Sequence, residues 1–234
     1  LRIAIGGIAS DAARGSDKAV RAVLETGATA PSEGEPALRR APVLGDLRER
    51  FPELAVWTAE AQSPGGAAEH GVSARLASAA GERTESAPWA YRVLLRRLAH
   101  EPGPRLSRAE RIALSHHDAT EIGAEGLPAD ALTLAALQTG VPVLAFDAAA
   151  LEGELALRPA REGEEIDDEP LEEGEVVLAD LERPLLVLFG PRVPDAMAGP
   201  DTERVVLAAI QAKGIAPVSV EEALWTSVEI LRGA

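Results

Sequence analysis

The segment Leu137–Asp147, which reads LQTGVPVLAFD, marks the point where the chain changes from helical to strand periodicity. A helical pattern that begins at Pro128 is expected to end at Gly140, because glycine readily takes the left-handed conformation that closes a helix. The apolar run Val141–Asp147 then predicts a strand. This junction separates a helix-rich part of the chain from a strand-rich part.

The strand-rich part continues with further short apolar runs separated by turn residues. Three of them predict strands, namely residues 154–158, 175–180 and 184–190. The segment 204–211 is ambiguous, because its two valines favour a strand while the alanines that follow allow a helix.

Helices are predicted on both sides of these strands. The first covers residues 86–98, and a capping box at Ser107 begins the next one. A second capping box, formed by Ser219 and Glu222, predicts the start of the last helix. The buried face of that last helix is expected to carry Leu224, Val228 and Leu231. Helices around a strand-rich block predict an α+β fold, layered strands with packed helices, in one domain over residues 1–234.

The composition excludes several classes of protein. The chain has 38 Asp and Glu against 23 Lys and Arg, a net charge of −15, and no cysteine. The missing cysteines exclude disulfides, iron–sulfur clusters and thiolate metal sites. The acidic balance disfavours a protein that coats duplex nucleic acid. No apolar run approaches the roughly 18 residues of a membrane span, so we expect a cytoplasmic protein that does not associate with membranes.

The negative charge is concentrated in one segment, with thirteen acids and two arginines between Glu152 and Glu182. Charge repulsion predicts that residues 162–175 form a solvated, extended and mobile loop. Three carboxylates stand where predicted strands meet turns, namely Asp147, Glu164 and Asp180. Such carboxylates either line a cleft or accept hydrogen bonds from turn N–H groups, and the second interpretation is favoured for each one taken singly.

The arginines are concentrated in one segment of the chain. Six arginines lie between Arg92 and Arg111 against two glutamates, close to Trp89 and Tyr91. They could cradle an RNA end, with arginines on phosphates and an aromatic ring under a base. The alternative, which helix geometry favours, is a pair of solvated helix faces whose aromatic residues point into the core.

No metal or cofactor site is predicted. The adjacent residues His116, His117 and Asp118 point in different directions on either a helix or a strand, so they rarely bind one ion. The glycines after the first apolar run lack the dinucleotide-binding spacing.

Several of these motifs, in the same order, resemble the tRNA-editing domain of the phenylalanyl-tRNA synthetase beta subunit. There the segment equivalent to 137–147 reads Leu-x-x-Gly-x-Pro-apolar-His-Ala-Phe-Asp. The resemblance continues through the segments 155–164, 176–180 and 185–190, and is greatest to free-standing bacterial proteins built from this domain, which share a helix like that at Trp89–Arg92. It covers residues 86–233, whereas residues 1–85 form a variable N-terminal part.

The resemblance implies an α+β fold and an activity, the hydrolysis without metal of tyrosine wrongly attached to the phenylalanine tRNA. This chain departs from the family at three editing positions. Leu144 replaces a histidine, Arg192 stands where the family has a glutamate, and Thr133 replaces an asparagine, although Asp130 is kept. Specificity for tyrosine is therefore not expected, and Arg192 favours a ligand that carries a carboxylate.

These observations lead to the hypothesis of a free-standing domain that binds an aminoacyl group or an aminoacyl-tRNA end, with hydrolysis of the ester left open. Asp147 would accept the amine, Arg192 would bind a carboxylate or phosphate, and Thr133, Asp130 and Leu144 would line the same hollow. Arg92, Arg96 and Arg97 would hold the nucleic acid.

The alternative hypothesis is a non-catalytic binder of a free amino acid or a small carboxylate metabolite. It follows from the net charge and from the missing histidine and glutamate. A third hypothesis is a scaffold that pairs with another protein through the acidic segment.

Overall fold

The computed structural model describes residues 36–64, 70–81, 89–98, 125–190 and 195–233. They belong to one compact unit, Gly34–Ala234. The predicted helix start at Ser107, the cluster at His116 and the predicted site residue Arg192 lie outside the described residues.

The described residues form five helices, nine strands and one 3-10 turn. In chain order they are β1 (Arg39–Ala41), α1 (Leu47–Arg50), β2 (Ala55–Gln62), α2 (His70–Gly81), α3 (Trp89–Arg97), α4 (Ala129–Thr139), β3 (Val143–Asp147), a 3-10 turn (Ala148–Ala150), β4 (Ala156–Pro159), β5 (Glu165–Ile166), β6 (Glu169–Pro170), β7 (Val176–Ala179), β8 (Pro184–Val187), β9 (Arg204–Gln211) and α5 (Pro217–Arg232). Within these ranges no helix is both long and apolar enough to cross a membrane.

A four-stranded antiparallel sheet forms the centre of this unit, in the order β1-β2-β9-β3. The ambiguous segment 204–211 is therefore a strand, and it pairs along its whole length with β2. Helices packed on antiparallel sheets confirm the predicted α+β class. Two of the four strands, β1 and β2, come from residues before position 85, so the region 86–233 does not hold this sheet by itself.

Both faces of this sheet carry buried apolar residues. One face carries the row Ala59, Leu207 and Ala145, in which each residue is at most 2% exposed. The opposite face carries Glu60, Val206 and Phe146 in the neighbouring row, where Glu60 is exposed and Phe146 is completely buried. Other residues of the same face are also inaccessible, namely Val56, Ala208 and Ile210. Helices α4 and α5 pack against each other and contact the sheet. The apolar residues of a sheet need such packed layers to be removed from water.

A second, three-stranded sheet has the order β4-β7-β8. Its middle strand is buried on both faces, with Val177, Leu178 and Ala179 completely inaccessible. A single parallel bridge between Val43 and Leu157 ties this sheet to the chain that follows β1. Most of its apolar residues therefore join the main core.

Helix α4 begins and ends where the sequence predicts. Pro128 precedes it, and Gly140 closes it with φ 72° while its N–H donates to the Ala136 carbonyl. The prediction that α5 starts at a capping box formed by Ser219 and Glu222 is wrong, because the helix begins earlier, at Pro217. Proline suits the first helical turn, where its missing N–H would have no partner. Ser219 consequently lies inside the helix, while Leu224, Val228 and Leu231 are buried as predicted.

The acidic segment 162–175 is not an extended loop. It contains the antiparallel hairpin β5–β6, in which Ile166 pairs with Glu169. The two turn residues, Asp167 and Asp168, have φ values of 53° and 60°. Aspartate tolerates this left-handed conformation better than most residues, and a turn with two positive φ values matches the twist of a hairpin. Local turn chemistry and the burial of Ile166 thus outweigh charge repulsion.

Candidate functional site

Asp147 lies at the end of β3, where the strand passes into the 3-10 turn. Its Oδ1 accepts a hydrogen bond from the N–H of Ala149 at 2.9 Å, which caps the turn and fixes the carboxylate. The side chain is partly accessible, and Oδ2 accepts no hydrogen bond from the described part of the chain. Asp147 therefore offers one fixed, negatively charged acceptor to a ligand.

The backbone on both sides of Asp147 is also held. Its N–H donates to the carbonyl of Ala196 at 2.9 Å, and the N–H of Ala198 donates to the carbonyl of Ala145 at 2.9 Å. The segment around Met197 therefore covers the edge of β3 that β9 leaves free. Such double pairing keeps the end of β3 in a defined position.

Asp130 and Thr133 are both buried in α4 and form local hydrogen bonds. Asp130 is 0% exposed, and its two oxygens accept hydrogen bonds from the N–H groups of Glu125 and Gly126 at 3.2 and 3.3 Å. The hydroxyl of Thr133 donates to the Ala129 carbonyl at 2.8 Å. Both side chains therefore stabilise the start of the helix.

The structure does not bring all the predicted site residues together. Residues three apart on a strand point to opposite faces, so Leu144 and Asp147 cannot line the same side of β3. Leu144 packs against the main core. The connection between α4 and β3 is short and the two elements pack together, which puts the start of α4 and Asp147 at the same end of this layer. Arg192 lies outside the described residues.

The other two carboxylates at strand ends have structural partners. Asp180 accepts hydrogen bonds from the N–H groups of Glu152, Glu182 and Arg183. Glu164 accepts hydrogen bonds from both terminal nitrogens of Arg158 and from the backbone N–H of Arg161. Burial opposes ionisation of Glu164, but these hydrogen bonds and the nearby arginine charges outweigh it, so its pKa is lowered. The interpretation that such residues accept hydrogen bonds in turns is what the structure shows for both.

Of the six arginines between positions 92 and 111, those that the structure describes lie on α3. Arg96 and Arg97 are exposed, and Arg92 is half-buried.

Of the two aromatic residues on α3, one is buried in the core and the other lies at the surface. Tyr91 is buried and donates its hydroxyl to the Ile210 carbonyl at 2.7 Å, and burial raises the pKa of this phenol. Trp89 is 62% exposed, so the expectation that the aromatic residues point into the core holds only for Tyr91.

Arginine–aromatic contacts join α3 to the end of α1. The Arg96 guanidinium lies 5.3 Å from the ring centroid of Trp89. Arg50 and Arg97 each lie 5.4 Å from the ring centroid of Phe51. The sequence did not predict a role for Arg50 and Phe51, because no local pattern indicates that they contact Arg97, which is far away in the chain.

The described residues include no group of three His, Cys, Asp or Glu side chains that could hold a metal ion. A search with protein-family models returned no match, and neither did a search of curated proteins.

Proposed function

We propose that this protein binds the aminoacylated end of a tRNA, as a domain of the editing type, in the cytoplasm. The observation that carries the proposal is the Asp147 carboxylate, with one oxygen fixed by the Ala149 N–H and the other open at the end of β3. The ordered motifs around residues 137–147 and 155–164 support the same conclusion.

The chemistry of an aminoacyl ester fits this carboxylate. An α-amino group whose carboxyl is acylated, as at a peptide N-terminus, has a pKa of about 8, so most of it carries a positive charge at neutral pH. A fixed carboxylate forms a charge-assisted hydrogen bond with such an ammonium group. Asp147 therefore accepts the amine and orients the ester, while specificity for a tyrosine hydroxyl is not proposed, because Leu144 cannot form a hydrogen bond.

Any hydrolysis of the ester would depend on positioning. Asp130 and Thr133 are engaged with the backbone of α4 and the loop before it. We therefore propose no general base among the described residues. Holding the ester and a water molecule in reactive geometry can by itself lower a barrier by several kcal/mol.

The test uses an amide-linked aminoacyl-adenosine, which mimics the end of the tRNA but resists hydrolysis. We expect Asp147→Asn to weaken its binding at least about tenfold, since the charged partner is lost while the cap on Ala149 is retained. Asp168→Asn, at an exposed aspartate in the turn of the hairpin β5–β6, is the matched control, since asparagine also tolerates a positive φ. Equal affinities for the two variants would overturn the proposal. A deacylation assay with mischarged tRNAs then measures hydrolysis directly.

A second candidate function is the non-catalytic binding of a free amino acid or a small carboxylate metabolite. It is favoured by the engagement of Asp130 and Thr133, which leaves Asp147 as the accessible carboxylate of the predicted pocket. Thermal unfolding with free amino acids separates the two candidates. A ligand at about 100 times its dissociation constant adds roughly 2.7 kcal/mol of stability, and an effect of that size from a free amino acid would favour this second function.

A further inference from the structure

We propose that the outer face of α3 and the end of α1 bind single-stranded RNA. A base stacks on Trp89, and Arg50, Arg96 and Arg97 contact phosphates. The inference rests on the proposed function only for the identity of the RNA, the single-stranded end of a tRNA. We call this set of four side chains the arginine–tryptophan surface.

The inner face of α3 is firmly attached to the core, which makes its outer face a rigid platform. Tyr91 and Leu94 are buried, at 4% and 6% exposure. The Tyr91 hydroxyl bonds the carbonyl of Ile210 in the central sheet, and its ring meets Phe189 edge to face at 6.3 Å. A platform ordered before binding loses little entropy when a ligand arrives.

Trp89 offers an aromatic ring to solvent. It is 62% exposed, and Val93, one turn further along α3, is 38% exposed. Arg96 lies over the indole at 5.3 Å, which restrains the ring while its planar N–H groups stay available. An exposed, restrained aromatic ring beside arginines is the usual platform on which proteins stack bases of single-stranded nucleic acid.

Phe51 extends this surface to a second helix. It is 6% exposed, and the guanidinium groups of Arg50 and Arg97 both lie over its ring. A guanidinium that stacks on a ring keeps its in-plane N–H donors free to contact a phosphate. Arg50 also has an exposed pair with Asp46 at 3.6 Å, which a phosphate can displace because such surface pairs contribute little.

The positive charge of this surface favours a polyanionic ligand. Helix α3 carries three arginines and no acid, in a chain whose net charge is −15. Trp89 and Arg97 are eight residues apart, so α3 separates their backbone positions by about 12 Å. A phosphate chain is therefore attracted here and repelled by the acidic remainder of the molecule. Among the described residues, the most acidic segment that a second copy would present is the hairpin β5–β6, whose strands carry no aromatic ring to stack on Trp89.

The experiment measures binding of a fluorescently labelled, unstructured oligoadenosine of about ten nucleotides, a length within the site size of single-strand binders. Trp89→Ala is expected to weaken binding about fivefold or more, whereas Trp89→Phe retains most of the affinity because a ring remains. The double variant Arg96→Gln, Arg97→Gln is expected to lower the slope of log affinity against log salt by about 1.4, since each contact to a single strand contributes about 0.7. Arg204→Gln, at an exposed arginine on β9, is the matched control and is expected to bind like the wild type.

Three outcomes would overturn this inference. The first is that Trp89→Ala binds the oligoadenosine as tightly as Arg204→Gln does. The second is an unchanged salt slope in the double arginine variant. The third is concentration-dependent self-association of the protein that the double variant abolishes. The last result would make the surface an interface between copies of the chain. Thermal unfolding of each variant checks that the fold is retained.

This test can be separated from that of the proposed function. The oligoadenosine carries no amino acid, so Asp147→Asn is expected to leave its affinity unchanged. A wild-type protein that binds the oligoadenosine but not the aminoacyl-adenosine would contradict the proposed function alone. Normal aminoacyl-adenosine binding with no RNA binding would contradict this inference alone.

Discussion

Arg158 and Glu164 form a bidentate ion pair, in which Nη1 and Nη2 of the guanidinium each lie 2.7 Å from a carboxylate oxygen. Arg158 belongs to β4 and is 6% exposed, while Glu164 directly precedes the hairpin β5–β6. The same carboxylate accepts the N–H of Arg161 at 2.8 Å. The pair therefore holds the acidic hairpin against the second sheet.

Glu164→Gln is expected to destabilise the protein by about 3 kcal/mol, because removing one partner leaves the buried guanidinium uncompensated. Urea unfolding measures the loss. Glu165→Gln, at the exposed neighbouring position in β5, is the control and should change the free energy of unfolding by less than about 0.5 kcal/mol. Equal stabilities of the two variants would contradict the role given to the pair.

The lowered pKa of Glu164 predicts a dependence of stability on pH. The folded state holds this proton less tightly than the unfolded state, so the pair stabilises the fold fully above the unfolded pKa of about 4.3. The contribution is lost as the pH falls from there through the lower, folded pKa. Urea midpoints measured across this range should fall more steeply for the wild type than for Glu164→Gln, and parallel curves would show that the pair does not titrate with folding.

Tyr91→Phe is expected to lower stability by about 1 kcal/mol, since it removes the hydrogen bond to the Ile210 carbonyl and keeps the ring. Tyr91→Ala should cost about 3 to 5 kcal/mol because it also leaves a cavity. The control is Thr58→Val, which removes a long, exposed hydrogen bond to the Arg39 carbonyl. Thermal or urea unfolding compares the three, and a Tyr91→Phe variant as stable as the wild type would mean that the hydroxyl is not needed to anchor α3.

Two glycine substitutions are expected to act in opposite directions. Gly140→Ala places a side chain at φ 72°, so it should destabilise the end of α4 by about 1 kcal/mol. Gly71 lies in the first turn of α2, and outside that helix no atom of the described residues lies within 4 Å of an added Cβ. Gly71→Ala should therefore stabilise by about 0.5 to 1 kcal/mol. Denaturation midpoints measure both effects, and changes of the same sign would contradict the conformations described.

The predictions that succeeded concern local sequence patterns. The end of α4 at Gly140, the strand before Asp147 and the buried face of α5 all follow from residue spacing and backbone preference. Two local predictions failed where another local rule competed. Proline at position 217 began α5 before the capping box at Ser219, and a tight turn at Asp167 formed a hairpin in the acidic segment.

The candidate site was less predictable than the fold. The motif placed Asp147 at a strand end, but its partial exposure depends on what covers β3, which only the folded chain decides. Asp130 is also at its predicted place in α4, yet its oxygens are used by the loop before the helix. A polar residue at a motif position therefore does not reveal whether it faces a ligand or the backbone.

The amino-acid sequence alone determined the α+β class, the junction at residues 137–147 and the separation of acidic and basic segments, because these depend on neighbours within a few positions. Only the tertiary structure decided that residues 204–211 form a strand between β2 and β3, that Met197 pairs with Phe146 at the free edge of β3, and that Phe51 contacts Arg97. Those features depend on pairing between distant segments, whose free energy comes from burial and from hydrogen bonds that no short stretch of sequence contains.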